Sequence, residues 1–188
     1  VSHLSTQVLV RSGLFIVVLG AIGYFGYGLM TESETEEVAT SQRQSLPNAV
    51  LQTTSGGSFQ FSSIPQGKPV VLMFFSPTCP YCQEETAEIT THANLNDEAA
   101  IVMVSTFSRQ DLNAYIDQYG LNDFGNIRVV RDFGGSLFQE YGVQSVPYTV
   151  VYDGSHQMVR AFRGKASADR LYAAVTSPES ARQAPMPR

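Results

Sequence analysis

The sequence has no tryptophan, only two cysteines and three histidines, and fewer basic than acidic side chains: 12 Lys and Arg against 17 Asp and Glu, net charge −5. Two cysteines exclude a disulfide-dense scaffold, so stability must come from an apolar core. The histidines, at 3, 92 and 156, are dispersed, and there is no third cysteine. The cysteine pair is therefore about two ligands short of a closed zinc site. The deficit and scatter of positive charge exclude a surface built to neutralise phosphates, and no nucleic acid partner is expected. No internal repeat or low-complexity tract stands out. With 43% of 188 residues apolar, the chain can bury one sizeable core but hardly two.

Long apolar runs are also scarce, and the longest is near the start. From Ser12 to Met30, "SGLFIVVLGAIGYFGYGLM" carries no charge. At about 1.5 Å per residue it spans roughly 28 Å as a helix, close to the bilayer's hydrocarbon thickness. Arg11 precedes it and Glu32, Glu34, Glu36 and Glu37 follow. By the positive-inside rule, residues 1–11 are cytoplasmic, 12–30 form a transmembrane anchor, and everything after Met30 lies outside the cytoplasm. The rival is a cleaved signal peptide, although the run is long for one and Gly26-Tyr27-Gly28 is a poor cleavage site. Residues 31–45, acidic and polar, read as a solvated tether, and 178–188 as a disordered tail. A compact domain is left at 46–177.

Within it, "AVLQT" and "SFQFS" flank Ser55-Gly56-Gly57 as a hairpin, and "PVVLMFF" is a strand covered on both faces. Pro80 suits the first turn of a following helix, continued by "YCQEETAEITTHANL". Then come a strand ("AIVMVST"), a helix closed by Gly120, a short strand ("NIRVVRD"), and a helix closed by Gly142. "YTVVYD" and "MVRAFRG" form a hairpin about Asp153-Gly154, and "SADRLYAAV" is a terminal helix with Ser167 as its cap. This is an α/β fold.

The two cysteines, Cys79 and Cys82 in "FFSPTCPYCQEE", fall where a central strand ends and a helix begins, the place where sites collect in open α/β sheets. Cys79 lies just outside the first turn, beside unpaired backbone N–H groups, and Cys82 lies within it. The helix dipole favours a thiolate at Cys79; in C-x-x-C motifs the pKa falls from about 8.5 to roughly 3.5–7.5. Cys79 is thus the expected nucleophile and Cys82 the resolving thiol. A structural disulfide is the bland alternative, but so small a loop removes little unfolded-state entropy.

These motifs resemble the thioredoxin superfamily, and more narrowly its membrane-anchored TlpA/ResA-like thiol-disulfide oxidoreductases. "LPNAVLQTTSGGSFQFSSIPQGKPVVLMFFSPTCPYCQEE" is similar to that group's hairpin, central strand and active-site turn. "EYGVQSVPYTVVYDGSHQMVRAFRG" resembles the segment bearing the cis-proline and the final hairpin. The resemblance implies a thioredoxin-like fold, a central mixed sheet flanked by helices with an N-terminal hairpin extension. It also implies a cis Val146-Pro147 bond beside the pair, with the Val146 backbone offered to an extended substrate and Pro80 and Tyr81 at the contact surface. No cofactor is expected beyond the redox-active Cys79-Cys82 pair.

One departure and one match matter. Met73 stands where many thioredoxins bury an acid that moves protons for the second thiol. Glu85 matches a glutamate found in TlpA-like proteins and reads as a solvated first-turn residue, with proton transfer as the alternative. The resemblance implies an extracytoplasmic reductase of protein disulfides, supplied with electrons by a membrane protein and held to the bilayer by its N-terminal helix. Two other classes remain as alternatives. A peroxiredoxin-like peroxidase needs Pro-x-x-x-Thr-x-x-Cys, whereas Pro77 and Thr78 abut Cys79. A Sco-like copper carrier needs a C-x-x-x-C pair plus a histidine.

Overall fold

The computed structural model describes residues 45–183. The expected cytoplasmic segment 1–11, the anchor at 12–30, the tether before Ser45 and the last five residues lie outside them. Among the described residues no helix is long and apolar enough to cross a membrane.

Seven strands form one mixed sheet: β1 (Val50–Thr53), β2 (Ser58–Gln60), β3 (Val70–Phe74), β4 (Ala100–Ser105), β5 (Ile127–Arg131), β6 (Tyr148–Tyr152) and β7 (Met158–Arg163), in the order β2-β1-β5-β4-β3-β6-β7. β3, β4 and β5 are parallel, while β6 runs antiparallel to β3 with Phe74 opposite Tyr148. The N-terminal hairpin is attached to the sheet through β1, which pairs antiparallel with β5. β3 and β6 are buried at every residue because both sheet faces are covered.

Alternation along the strands sorts the core into two layers. Val71, Met73 and Phe75 point to one face with Ile101 and Met103. That face is covered by α1 (Pro80–Thr91), α2 (Ala93–Glu98), α3 (Arg109–Tyr119) and α5 (Ala168–Thr176). Val70, Leu72 and Phe74 point to the other with Val102 and Val104, beneath α4 (Ser136–Glu140) and the segment leading into β1. That segment starts at the β6–β7 turn, where Ser45 bridges Gln157 and the Leu46 N–H donates to the His156 carbonyl at 3.2 Å.

Three local expectations are corrected. The helix expected to run from Tyr81 through Leu95 is two helices. His92 ends α1 and caps α2, its Nδ1 accepting from the Leu95 N–H at 3.0 Å. Thr91 meanwhile turns its hydroxyl back onto the Ala87 carbonyl, the kind of competition that weakens a helix. Ser167 occupies the N-cap position of α5, but its side chain makes no capping bond; Glu88 Oε2 accepts from the Ala168 N–H at 3.1 Å instead. Finally, residues 178–183 of the expected tail form a sixth helix, α6 (Pro178–Gln183), tied down where Arg182 pairs with Asp153 of the β6–β7 turn.

Candidate active site

β3 ends against β4, the Phe75 N–H donating to the Val104 carbonyl, and the chain then turns through Ser76–Thr78 into α1. Ser76 and Thr78 share a hydroxyl hydrogen bond of 3.0 Å, the Cys79 N–H donates to the Ser76 carbonyl at 3.1 Å, and Gln83 Nε2 donates to the Pro77 carbonyl at 2.8 Å. The turn is therefore fixed from both sides. Cys79 is the N-cap of α1 and Pro80 opens the helix, where its missing N–H breaks no bond. A negative charge developing on the Cys79 sulfur meets the unpaired first-turn N–H groups.

The two sulfurs have different surroundings. Cys79 is half-buried and Cys82 fully buried, and both are free thiols. Cys79 Sγ lies 3.6 Å from the Val146 carbonyl oxygen, and the Val146-Pro147 peptide bond is cis. Tyr81 is 61% exposed, so its ring faces outward beside Cys79 rather than packing beneath it. Of the residues expected at the site, Cys79, Val146 and Pro147 are thus brought together, and Pro80 and Tyr81 form the outer rim.

Cys82 packs in the layer with Met73, Phe75 and Ile89. Burial pushes its thiol well above the usual range, as do its hydrogen bond with Cys79 and the nearby charges of Cys79 and Glu85; a backbone hydrogen bond at Ser76 opposes them. Below it, Tyr115 from α3 donates its hydroxyl to the Cys82 carbonyl at 3.2 Å and shares a 2.7 Å hydrogen bond with Thr86.

Glu85 overturns its expected solvated placement: it is fully buried. One helical turn beyond Cys82, its Oε1 accepts from Thr149 Oγ1 at 2.7 Å and its Oε2 from the Ala166 N–H at 2.9 Å. Burial raises its carboxyl from 4.5 to about 7. The two hydrogen bonds pull it back, Glu88 pushes it up and Lys165 lowers it. Met73, where many thioredoxins bury an acid, is an apolar core residue here, and the buried acid comes from the helix instead.

Sequence reasoning missed Thr149, Ala166 and Tyr115. Thr149 carried a visible signal, a polar residue inside the apolar strand "YTVVY", because a hydroxyl buried there needs a partner. Ala166 contributes only its backbone and leaves no signal. Among the described residues, no group of three His, Cys, Asp or Glu side chains is placed to hold a metal ion.

A sequence profile described as the AhpC/TSA family matches residues 43–176, most of the chain. The chain belongs to the AhpC/TSA family. Among relatives of this AhpC/TSA protein, the soluble secreted antigen MPT53 of Mycobacterium tuberculosis is 31% identical over 173 residues, covering 88% of this chain and 92% of that protein. The thiol-disulfide oxidoreductase ResA of Bacillus thuringiensis is 22% identical over 169 residues, with the same two coverages, 88% and 92%. A solved structure of a secreted M. tuberculosis disulfide oxidoreductase, described as homologous to E. coli DsbE, matches with a TM-score of 0.59 at 26% identity over 69% of this chain and 96% of that one. These relatives agree with the TlpA/ResA-like, thioredoxin-superfamily resemblance of the motifs.

Proposed function

We propose that this protein is a thiol-disulfide oxidoreductase that reduces disulfides of other proteins outside the cytoplasm, held to a bacterial inner membrane by residues 12–30. The observation that carries the reading is the geometry at Cys79: a half-buried sulfur at a helix N-terminus, 3.6 Å from the carbonyl before a cis-proline, with a buried second thiol three residues on.

The reaction follows from that arrangement. Cys79 Sγ attacks one sulfur of the partner's disulfide, forming a mixed disulfide and releasing the other sulfur as a thiolate. The partner's chain lies against the Val146-Pro147 edge with Tyr81 and Pro80 beside it. Cys82 then attacks Cys79 Sγ, closing the Cys79-Cys82 disulfide and releasing the second partner thiol, so two electrons pass to the partner. Cys82 must lose its proton to attack, and its burial opposes ionisation. Glu85, a turn away and raised to about 7, accepts that proton near neutral pH. A membrane protein resupplies the electrons, because cytosolic donors do not reach the outer side. Substrates in this class include the haem-site cysteines of apocytochrome c in their disulfide form and disulfides of other envelope proteins.

Two measurements test this. Equilibrating the protein with glutathione buffers gives its potential: a value well below about −200 mV supports a reductant, and one near −120 mV makes it an oxidant. Cys82→Ser should hold partners as covalent mixed disulfides, and Cys79→Ser should abolish turnover; a Cys79→Ser protein that still turns over disulfides refutes the assignment. The alternatives have their own readouts. Hydrogen peroxide consumed as fast as disulfide would favour a peroxidase, although Thr78 directly precedes Cys79 rather than standing three positions before it. Stoichiometric Cu(I) binding would favour a carrier.

A further inference from the structure

The loop between β7 and α5 touches the site at three consecutive residues. The Gly164 N–H donates to the Pro147 carbonyl at 2.9 Å, so one end of this strap is tied to the cis-proline edge. The Ala166 N–H donates to Glu85 Oε2 at 2.9 Å, so the other end is tied to the buried carboxyl. Between them, Lys165 Nζ reaches Glu88 Oε1 at 2.7 Å and Glu84 Oε2 at 3.1 Å. Glu84 and Glu88 are four residues apart on α1, so one ammonium bridges successive turns of the helix that carries both cysteines. Glu88 is held in turn at the start of α5 by the Ala168 N–H.

Resting on the reading of Glu85 given above, we propose that Lys165 is a positioning residue: by gripping Glu84 and Glu88 it holds the 164–166 strap in register, keeping the Ala166 N–H on Glu85 and the same strap on the cis-proline. The surface that receives a partner and the carboxyl that serves the buried thiol are thereby joined by three residues of backbone. A lone exposed ion pair contributes little. Lys165 instead bridges two acids, so one cation fixes a backbone segment whose neighbouring N–H donates to the buried acid.

The ionisable groups around Glu85 are Cys82, Glu84 and Glu88 on its own helix, Lys165 on the strap and Tyr115 on α3; β6 supplies the uncharged Thr149. Asp169, at the start of α5, is turned to His92. Lys165 is the cation of the set and pulls the Glu85 carboxyl down, while Glu88 pushes it up. Its removal therefore acts in one direction: the cation is lost, Glu84 and Glu88 are left uncompensated, and the Ala166 donor is loosened. Each of these favours protonated Glu85.

The test is a carboxyl ¹³C NMR titration of Glu85 in the full reduced chain, alongside the pH profile of glutathione disulfide reduction. Lys165→Gln should raise the Glu85 midpoint by about half to one pH unit, whereas Lys165→Arg should keep it near native. An unchanged midpoint in Lys165→Gln, or an equal shift in Lys165→Arg, overturns the proposal. A midpoint that shifts as expected while the rate profile does not follow supports the strap and instead refutes proton transfer by Glu85.

Discussion

Two residues, Pro80 and Tyr81, separate two sulfurs with opposite surroundings. Cys79 sits at the open end of α1 against the Val146 carbonyl, two residues before the exposed Tyr81; Cys82 sits in the core layer of Met73 and Phe75, one helical turn before the buried Glu85. The residue type is the same, so the difference is made by position: the N-cap residue lies outside the helical turn and the third residue inside it faces the sheet. Order of reaction is thus written into helix geometry. In the mechanism proposed above, the outer sulfur meets the partner and the inner one reacts only with the outer.

The sharpest way to break this contrast is to compare the two thiols directly. Iodoacetamide should modify Cys79 in the folded, reduced protein at least about a hundredfold faster than Cys82, corresponding to a local opening cost of roughly 3 kcal/mol, and the two should become similar in denaturant. Mass mapping of the first adduct checks it; equal rates in the folded protein would erase the distinction.

The next effect concerns Glu85. Its folded carboxyl, near 7, lies above the ordinary 4.5. A raised value means that stability is fully present below about pH 4.5 and is lost as pH rises through about 7, because the fold favours the protonated acid. The reduced protein should lose up to about 3 kcal/mol over that window. Glu85→Gln should flatten the profile and be the more stable protein at pH 8, since its amide oxygen can face the Ala166 N–H while its NH₂ donates to Thr149 Oγ1. Urea denaturation at pH 5 and pH 8 measures this, and parallel native and variant profiles would contradict it.

Smaller changes sharpen the contrast. Tyr115→Phe deletes the hydroxyl shared by Thr86 and the Cys82 carbonyl and should cost about 1–2 kcal/mol of stability. It disturbs the inner thiol's surroundings and leaves Cys79 alkylation near native. Tyr81→Ala touches only the outer side. It should change stability by less than about 0.5 kcal/mol while raising KM for a protein disulfide more than it lowers kcat.

Much of the catalytic end was legible because its signals are local. A buried strand followed by Pro-Thr-Cys-Pro places the pair at a helix start, and Val146-Pro147 before "YTVVY" marks the facing edge. Glu85 was not legible in the same way. "QEETAE" offers acids at 84, 85 and 88, and each suits an exposed turn. Only spacing separates them: Glu85 follows Cys82 by three residues and precedes Ile89 by four, so it shares their inward stripe, while its neighbours turn out to Lys165. Its partners come from residues 64 and 81 positions further on, and no local pattern encodes them. α6 was missed for a related reason. "PESARQ" offers Ala181 as its one core-packed apolar side chain, and it is held by tertiary contacts such as Arg182 with Asp153 rather than by an apolar stripe.

The bridge between Ser45 and Gln157 fixes where the preceding chain joins the domain. It lies at the β6–β7 turn, and β6, five residues long, carries the chain from Tyr148 beside the cis-proline down to Tyr152 at that turn. At about 3.4 Å per residue, the point of attachment is some 17 Å from the cysteines, at the far rim of the sheet. Under the proposed anchoring by residues 12–30, reach and reactivity are consequently separable quantities: lengthening or shortening the chain before Ser45 should alter how far Cys79 can travel to meet a partner while leaving its chemistry untouched.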